Sequence, residues 1–312
     1  MISIIIPLYN KEKEIARAIK SVLSQSFSEF ELIVVDDGST DKSLAVVKTF
    51  SDKKIKILTK QNGGVSSARN LGIMEAKYDW IALLDGDDWW SADFLSTMFG
   101  LSIRYPDAGL YCCQYVQVNK QNEIIHLDRF PNLEEGYFEL YNYLFAVHSS
   151  AVLMRKRVFQ DYGYFDEQLT HGEDTDLWIR IGLNSKACYT SKVLSFYYLG
   201  GDPFTRSGFR TRKLEHNLLS RLDSYFNLGG EKWDNLLYEL KIHGLERFYI
   251  IDPFNKQIRQ MLQSIPSDIL KQYGNSIFHK GPIYFIFSHI RYLLFERIKD
   301  IIRIFKGLFP NK

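Results

Sequence analysis

The 312-residue chain has only three cysteines, Cys112, Cys113 and Cys188, too few for a disulfide framework and without the CxxC spacing of a zinc site or redox pair. A reducing compartment is therefore expected. Eight prolines, 20 glycines and the lack of any repeat or low-complexity stretch exclude collagen-like and disordered classes. Nor is there an excess of one charge: 39 Lys and Arg stand against 37 Asp and Glu, and a net +2 is not the footprint of a protein that coats nucleic acid. The longest stretch free of Asp, Glu, Lys and Arg is Leu140–Met154, 15 residues that include Asn142, His148, Ser149 and Ser150. It is too short and too polar to span a bilayer. The first residues, MISIIIPLYNKEKE, have neither a basic segment before the apolar run nor a small-residue cleavage site, so they read as a strand rather than a secretory signal. The expected location is the cytoplasm.

What is present is an alternation of strand and helix patterns from Met1 to about Tyr198. Ser3–Pro7 is a β-branched run, Ile15, Ala18, Ile19, Val22 and Leu23 recur at helical spacing, and Leu32–Val35 is a second apolar run, which makes a βαβ unit. Ser39 or Thr40 is placed to cap a helix carrying Leu44, Val47 and Phe50. Ile55–Leu58 and Trp80–Leu84 read as strands, Ser66–Ala76 and Ala92–Ile103 as helices. Strand runs that are apolar on both faces indicate a mainly parallel sheet covered by helices, with ligands at the strand ends. After Gly109 a mixed region is expected, with paired strands at Leu110–Val118 and Glu123–Leu127, a Tyr-rich helix near Tyr137–Phe145, a strand at Ala151–Met154, a helix at Glu173–Gly182 and an extended return at Ala187–Tyr198. The remainder is mostly helical in spacing, including Leu214–Phe226 and Trp233–Tyr249. The expected organisation is an α/β domain over 1–205 and a helical region over 206–312.

Three acidic clusters fall at the ends of predicted strands. Asp36-Asp37-Gly38-Ser39-Thr40-Asp41 follows Leu32–Val35; a helix cap needs one acceptor, and two adjacent carboxylates leave one for a ligand such as the imide N–H of a uracil ring. Asp85-Gly86-Asp87-Asp88 follows Trp80–Leu84, and three carboxylates in four residues repel unless solvated or neutralised, commonly by a divalent cation with bound phosphates. An exposed acidic turn is the plainer reading, but Trp89-Trp90 directly after it suits the floor of a site better. In His171-Gly172-Glu173-Asp174-Thr175-Asp176 the helix macrodipole accounts for one or two acids in the first turn and not for three. A carboxylate there, facing a cavity, can take a proton from an attacking hydroxyl.

The ordered set of Pro7-Leu8-Tyr9-Asn10, DDGSTD, NGGVSSARNLGI, LDGDD and GEDTDLWIRI resembles glycosyltransferase family 2, inverting enzymes of the Rossmann-like GT-A fold that use nucleotide-sugars. That resemblance implies a division of roles. Pro7 and Tyr9 line the base pocket, Asp37 contacts uracil, and Arg69 lies near the nucleotide. Asp85 points toward the ribose, Asp87 is on the metal, Asp88 sits alongside, Glu173 contributes to substrate binding and Asp174 is the general base. It further implies Mn2+ or Mg2+ as cofactor, a nucleotide-sugar donor with UDP-sugar leading, a glycan or lipid-linked acceptor, and a role in making a surface polysaccharide or glycolipid. An inverting transfer is one in-line displacement at the anomeric carbon, so one base suffices.

Many members of that family carry a His shortly after the strand that follows the Glu-Asp helix. Here Tyr198–Ser207 has none, which leaves Asp202 and Arg206 as substitutes and His148 and His171 as residues more readily explained by their neighbours. Segment 282–312 carries six basic residues against two acids, a local +4, with Ile290, Leu294, Ile298, Ile301, Ile302, Phe305 and Phe309 at helical spacing. Such a helix either lies on the anionic inner membrane surface or packs on its own domain or a second subunit. Two competing functions stay open: a sugar nucleotidyltransferase of the same fold, disfavoured by the absence of a Gly-rich basic segment at the start, and a catalytically silent carbohydrate-binding or scaffold protein, disfavoured by Asp87 and Asp174.

Overall fold

The computed structural model describes residues 1–125, 130, 133–200, 213–251 and 255–273. Asp202, Arg206 and the basic segment 282–312 lie outside them. The described chain divides into two units, Met1–Arg221 and a second beginning at Leu222.

Among the described residues the first unit is built on a ten-stranded sheet of order β3-β2-β1-β4-β9-β6-β10-β5, with β7 paired to β6 and β8 to β10. Strands β1 (Ile2–Leu8), β2 (Phe30–Asp36), β3 (Ile55–Thr59) and β4 (Trp80–Leu83) are mutually parallel. In β1 every residue but Pro7 is buried: Ile2, Ile4, Ile6 and Leu8 share a core cluster with the apolar face of helix α1 (Ile15–Leu23), and α3 (Val65–Met74) lies against the strand as well. On α1, Ile15, Ala18, Ile19 and Val22 form the buried stripe read from the sequence. Helix α3 crosses β1 at Gly72, where an added Cβ would stand 2.4 Å from Ile5 Cγ2; only glycine allows that approach.

The second half is mixed. Strand β9 (Val152–Arg155) runs antiparallel between β4 and β6 (Ala108–Val118), while β10 (Lys186–Tyr198) lies parallel to β6. Short strands β5 (Trp89–Trp90), β7 (Ile124–Ile125) and β8 (Gly136–Phe138) complete it, with helices α2 (Ser43–Val47), α4 (Phe94–Arg104), α5 (Arg157–Tyr162) and α6 (Glu173–Asn184). Two expectations fail. The Tyr-rich segment 137–145 is not one helix but β8 and two single 3-10 turns: Gly136–Phe138 is held extended by pairing with β10, and Leu140 and Leu144 are buried in the turns that follow. Likewise 214–226 forms three short 3-10 turns rather than a helix.

The second unit is helical: α7 (Glu231–Ile251) packs on α8 (Lys256–Gln263) and α9 (Ser267–Tyr273). Its Lys241 is buried and pairs with Asp223 at 2.5 Å. Among the described residues no helix is long and apolar enough to cross a membrane.

Candidate active site

The turns after β1 and β2 are laced together. Asn10 takes a left-handed φ of 53°, which Asn tolerates better than most residues, and its Oδ1 accepts the Thr40 N–H at 2.8 Å. Ser39 Oγ accepts the Asn10 N–H and Ser43 Oγ the Lys11 N–H. Because Ser39 and Thr40 serve Asn10, the first turn of α2 is served instead by Asp41, whose Oδ1 accepts the Ser43 N–H at 2.8 Å. This corrects the expected cap.

Asp37 is buried at the end of β2. Its Oδ1 accepts from Lys60 Nζ at 2.7 Å and the Gly63 N–H at 2.9 Å, and its Oδ2 from the Gly64 N–H at 2.8 Å. The carboxylate therefore shapes the NGG segment that leads into α3, with Gly64 in a positive φ of 89°.

From α3, Arg69 reaches two acids that are far apart in sequence. Nη2 donates to Asp85 Oδ1 at 2.7 Å and Nη1 to Glu173 Oε1 at 3.1 Å, and the guanidinium is 3% exposed. Burial opposes charge on Arg69, yet Asp85 and Glu173 raise its pKa above the ordinary value. Burial also opposes ionisation of Asp85, but Arg69 and His148 hold its carboxyl below the usual range. Glu173 goes the other way: burial and the Asp174 charge outweigh Arg69 and push it up to about 7.

In the LDGDD turn the three carboxylates separate. Asp88 is fully buried, accepting from Ser150 Oγ at 2.6 Å and the Tyr198 N–H at 2.9 Å, and burial with the neighbouring Asp87 and Asp85 charges raises its pKa well above normal. The Asp85 N–H donates to the same Ser150 Oγ. Asp87 is paired by Lys11, Nζ to Oδ2 at 2.6 Å. Ligand atoms of Asp85, Asp88 and His148 lie within 4.8 Å of one another, and two carboxylates with an imidazole are a donor set able to hold a divalent cation. Trp89 and Trp90 do not line the cavity. Trp90 stacks on Phe94 and donates Nε1–H to the Ser150 carbonyl, while Trp89 stacks on Phe196 beneath the Arg17 guanidinium, so both brace the turn from behind.

At the start of α6 the acids again have separate partners. Glu173 meets Arg69, Asp174 Oδ2 accepts from Ser149 Oγ at 3.2 Å, and Asp176 pairs with Arg180 at 2.8 Å. Gly172, with φ of 78°, starts this helix where an added Cβ would stand 2.8 Å from Leu218 Cβ. The third acid is thus structural.

These loops enclose a cavity of about 440 Å³ at the carboxyl ends of the parallel strands, lined by Pro7, Tyr9, Asp37, Arg69, Asp85, Asp87 and Glu173 among others. Asp88 and Asp174 are not lining residues. Lys11, Asn62, Thr170 and Tyr197 line it as well and were not singled out from the sequence. Lys11 sits within the recognisable YNKEKE start, but nothing in its spacing pairs it with Asp87. Ser149 and Ser150 carry no motif at all.

The family model described as Glycosyl transferase family 2 matches residues 3–163. A Rickettsia prowazekii protein named as an uncharacterized glycosyltransferase is 28% identical over 246 residues, 77% of this chain and 72% of that protein. The Escherichia coli UDP-Glc:alpha-D-GlcNAc-diphosphoundecaprenol beta-1,3-glucosyltransferase WfgD is 29% identical over 222 residues, 70% of this chain and 85% of that one. The chain spans less than two thirds of other relatives, 62% of one from Rickettsia typhi and 29% of one from Rickettsia bellii. Among solved structures, S. aureus TarS 1-349 in complex with UDP-GlcNAc matches with a TM-score of 0.65 at 20% identity, over 88% of this chain and 82% of that one, which establishes a shared fold. With the family model covering more than half its length and the motif loops gathered at one strand edge, this chain belongs to glycosyltransferase family 2.

Proposed function

We propose that this chain transfers a sugar from a UDP-sugar to a hydroxyl of a glycan or lipid-linked acceptor, with inversion, in a single displacement. The observation that carries the reading is the division at α6: Glu173 lines the cavity at the strand ends, whereas Asp174, the next residue, does not. A single displacement needs the donor on one side of the anomeric carbon and the base on the other. Pro7, Tyr9 and Asp37 form the nucleoside end, Arg69 and Asp85 the middle, and Glu173 the sugar end. Asp174, oriented by Ser149, accepts the acceptor proton. Arg69 keeps the donor side and the base helix in register.

Mn2+ or Mg2+ would be held by Asp87 together with members of the Asp85, Asp88 and His148 group. When bound, such an ion stabilises the negative charge of a departing nucleoside diphosphate. The donor and acceptor classes are supported by WfgD, whose name gives UDP-Glc and a diphosphoundecaprenol-linked GlcNAc, and by TarS, crystallised with UDP-GlcNAc. An acceptor of that kind belongs to surface polysaccharide synthesis at the cytoplasmic face of the membrane, with 1–205 as the transferase domain and 206–312 as an accessory region.

The test is incubation of the full chain with UDP-sugars, Mn2+ and lipid-linked GlcNAc. UDP release that depends on acceptor, with a product of opposite anomeric configuration by NMR, is the expected result. Pyrophosphate release, or retention of configuration, would overturn it.

A further inference from the structure

The Lys11 ammonium occupies the carboxylate expected to hold a divalent cation. Nζ lies 2.6 Å from Asp87 Oδ2, with the two side chains 16% and 14% exposed. Both backbones are fixed. The Lys11 N–H donates to Ser43 Oγ at 2.7 Å and its carbonyl accepts from Glu14 and Ile15, while the Asp87 carbonyl accepts from Arg17 Nη2 at 2.8 Å. Only the side chains can change partners.

The other cations around the cavity are committed more heavily. Arg69 bridges Asp85 and Glu173, Lys60 holds both Asp37 and the Gln61 carbonyl, and Arg17 is stacked between Trp89 and Tyr198. Lys11 lines the cavity and gives up one contact by moving. An ammonium and a metal ion on the same carboxylate repel each other, so the two compete for Asp87. A diphosphate in this cavity offers the ammonium several anionic oxygens in exchange, and a lysine on a flexible stem can follow them as a point charge.

We infer that Lys11 is an exchangeable counter-ion. It holds Asp87 before nucleotide binds, moves to the donor diphosphate when the nucleotide enters, and so frees Asp87 for the metal. Nucleotide and metal then bind with positive coupling, each strengthening the other by the same factor. This rests on the donor-site reading given above.

Calorimetry on the full chain tests it, titrating Mn2+ alone, UDP alone and Mn2+ in saturating UDP, with Lys11→Met, Lys11→Gln and Asp87→Asn. In the unmodified protein, UDP should raise Mn2+ affinity by about tenfold or more. In Lys11→Met and Lys11→Gln, Mn2+ alone should bind several-fold more tightly than it does to the unmodified protein without UDP, and UDP should bind about tenfold more weakly in saturating Mn2+. Unchanged Mn2+ affinity in both Lys11 variants, with native thermal melts, overturns the exchange and leaves the donor site standing. The exchange is equally overturned if UDP binds normally and Asp87→Asn binds Mn2+ like the unmodified protein. Failure of the unmodified protein to bind UDP with Mn2+ overturns both readings.

Discussion

Arg69 Nη2 stands 2.7 Å from Asp85 Oδ1, the arginine almost closed to solvent, and the same guanidinium continues to Glu173 on a different helix. The acid after β4 and the first residue of α6 therefore share one positive charge. Removing it leaves two partly exposed acids without their shared cation. Arg69→Met should cost about 1–3 kcal/mol of stability, and Arg69→Lys should recover only part, since one ammonium lacks the two-pronged geometry. Urea melts measure this; a loss under about 1 kcal/mol would mean that water replaces the guanidinium.

Glu173 titrates near 7 in the folded protein, above the ordinary carboxylate value of about 4.3. Between those values the folded state keeps a proton that the unfolded chain has released. The group's stabilising contribution is therefore full below about pH 4.3 and is lost as pH rises through 7. Glu173→Gln cannot ionise, so its stability relative to the parent should increase from pH 5 to pH 8. A difference that stays flat across this range would place the proton elsewhere.

Asp174→Asn should keep UDP-sugar affinity and lose transfer by roughly 100- to 10,000-fold, because a base acts on the acceptor in the transition state. Rapid-mix assays with separate donor-binding measurements check both halves. Near-normal turnover would pass the role to Glu173.

Asp87 and Asp88 should part company when each is changed to Asn. Asp88 accepts Ser150 Oγ and the Tyr198 N–H while fully buried, so Asp88→Asn must turn its amide toward one of them, disturbs that hydrogen bond and should destabilise by about 1–3 kcal/mol. Asp87→Asn gives up only its ion pair with Lys11, so it should melt closer to the parent than Asp88→Asn does and lose metal-dependent donor binding. Retained Mn2+ binding with UDP would shift the ion wholly to Asp85, Asp88 and His148.

Much of this site was legible because each acidic motif lies in a turn that directly follows a strand or opens a helix, and local chemistry then dictates its position. DDGSTD, LDGDD and GEDTDL all arrive at one end of the sheet as expected. The partners were not legible. Lys11 and Asp87, or Arg69 and Glu173, are joined only by how the sheet is ordered, and no local spacing encodes that order. The same gap explains Trp89-Trp90, where apolar character beside an acidic turn is equally consistent with lining a site and with bracing it. It also explains segment 137–145, where Gly136–Phe138 pairs with β10, a partner that no local spacing names.

Strand β9, four residues long, stands between β4 and β6, so the two halves of the sheet are hydrogen-bonded to one another through it. During synthesis the four parallel strands are complete well before Val152 emerges. Until it does, β4 with its Trp80-Ile81-Ala82-Leu83 run presents one apolar edge with unpaired backbone groups, a template for another chain. A nascent or truncated chain that stops short of β9 is thus exposed to aggregation at the strand that leads into Asp85, and pairing with β9 closes that edge.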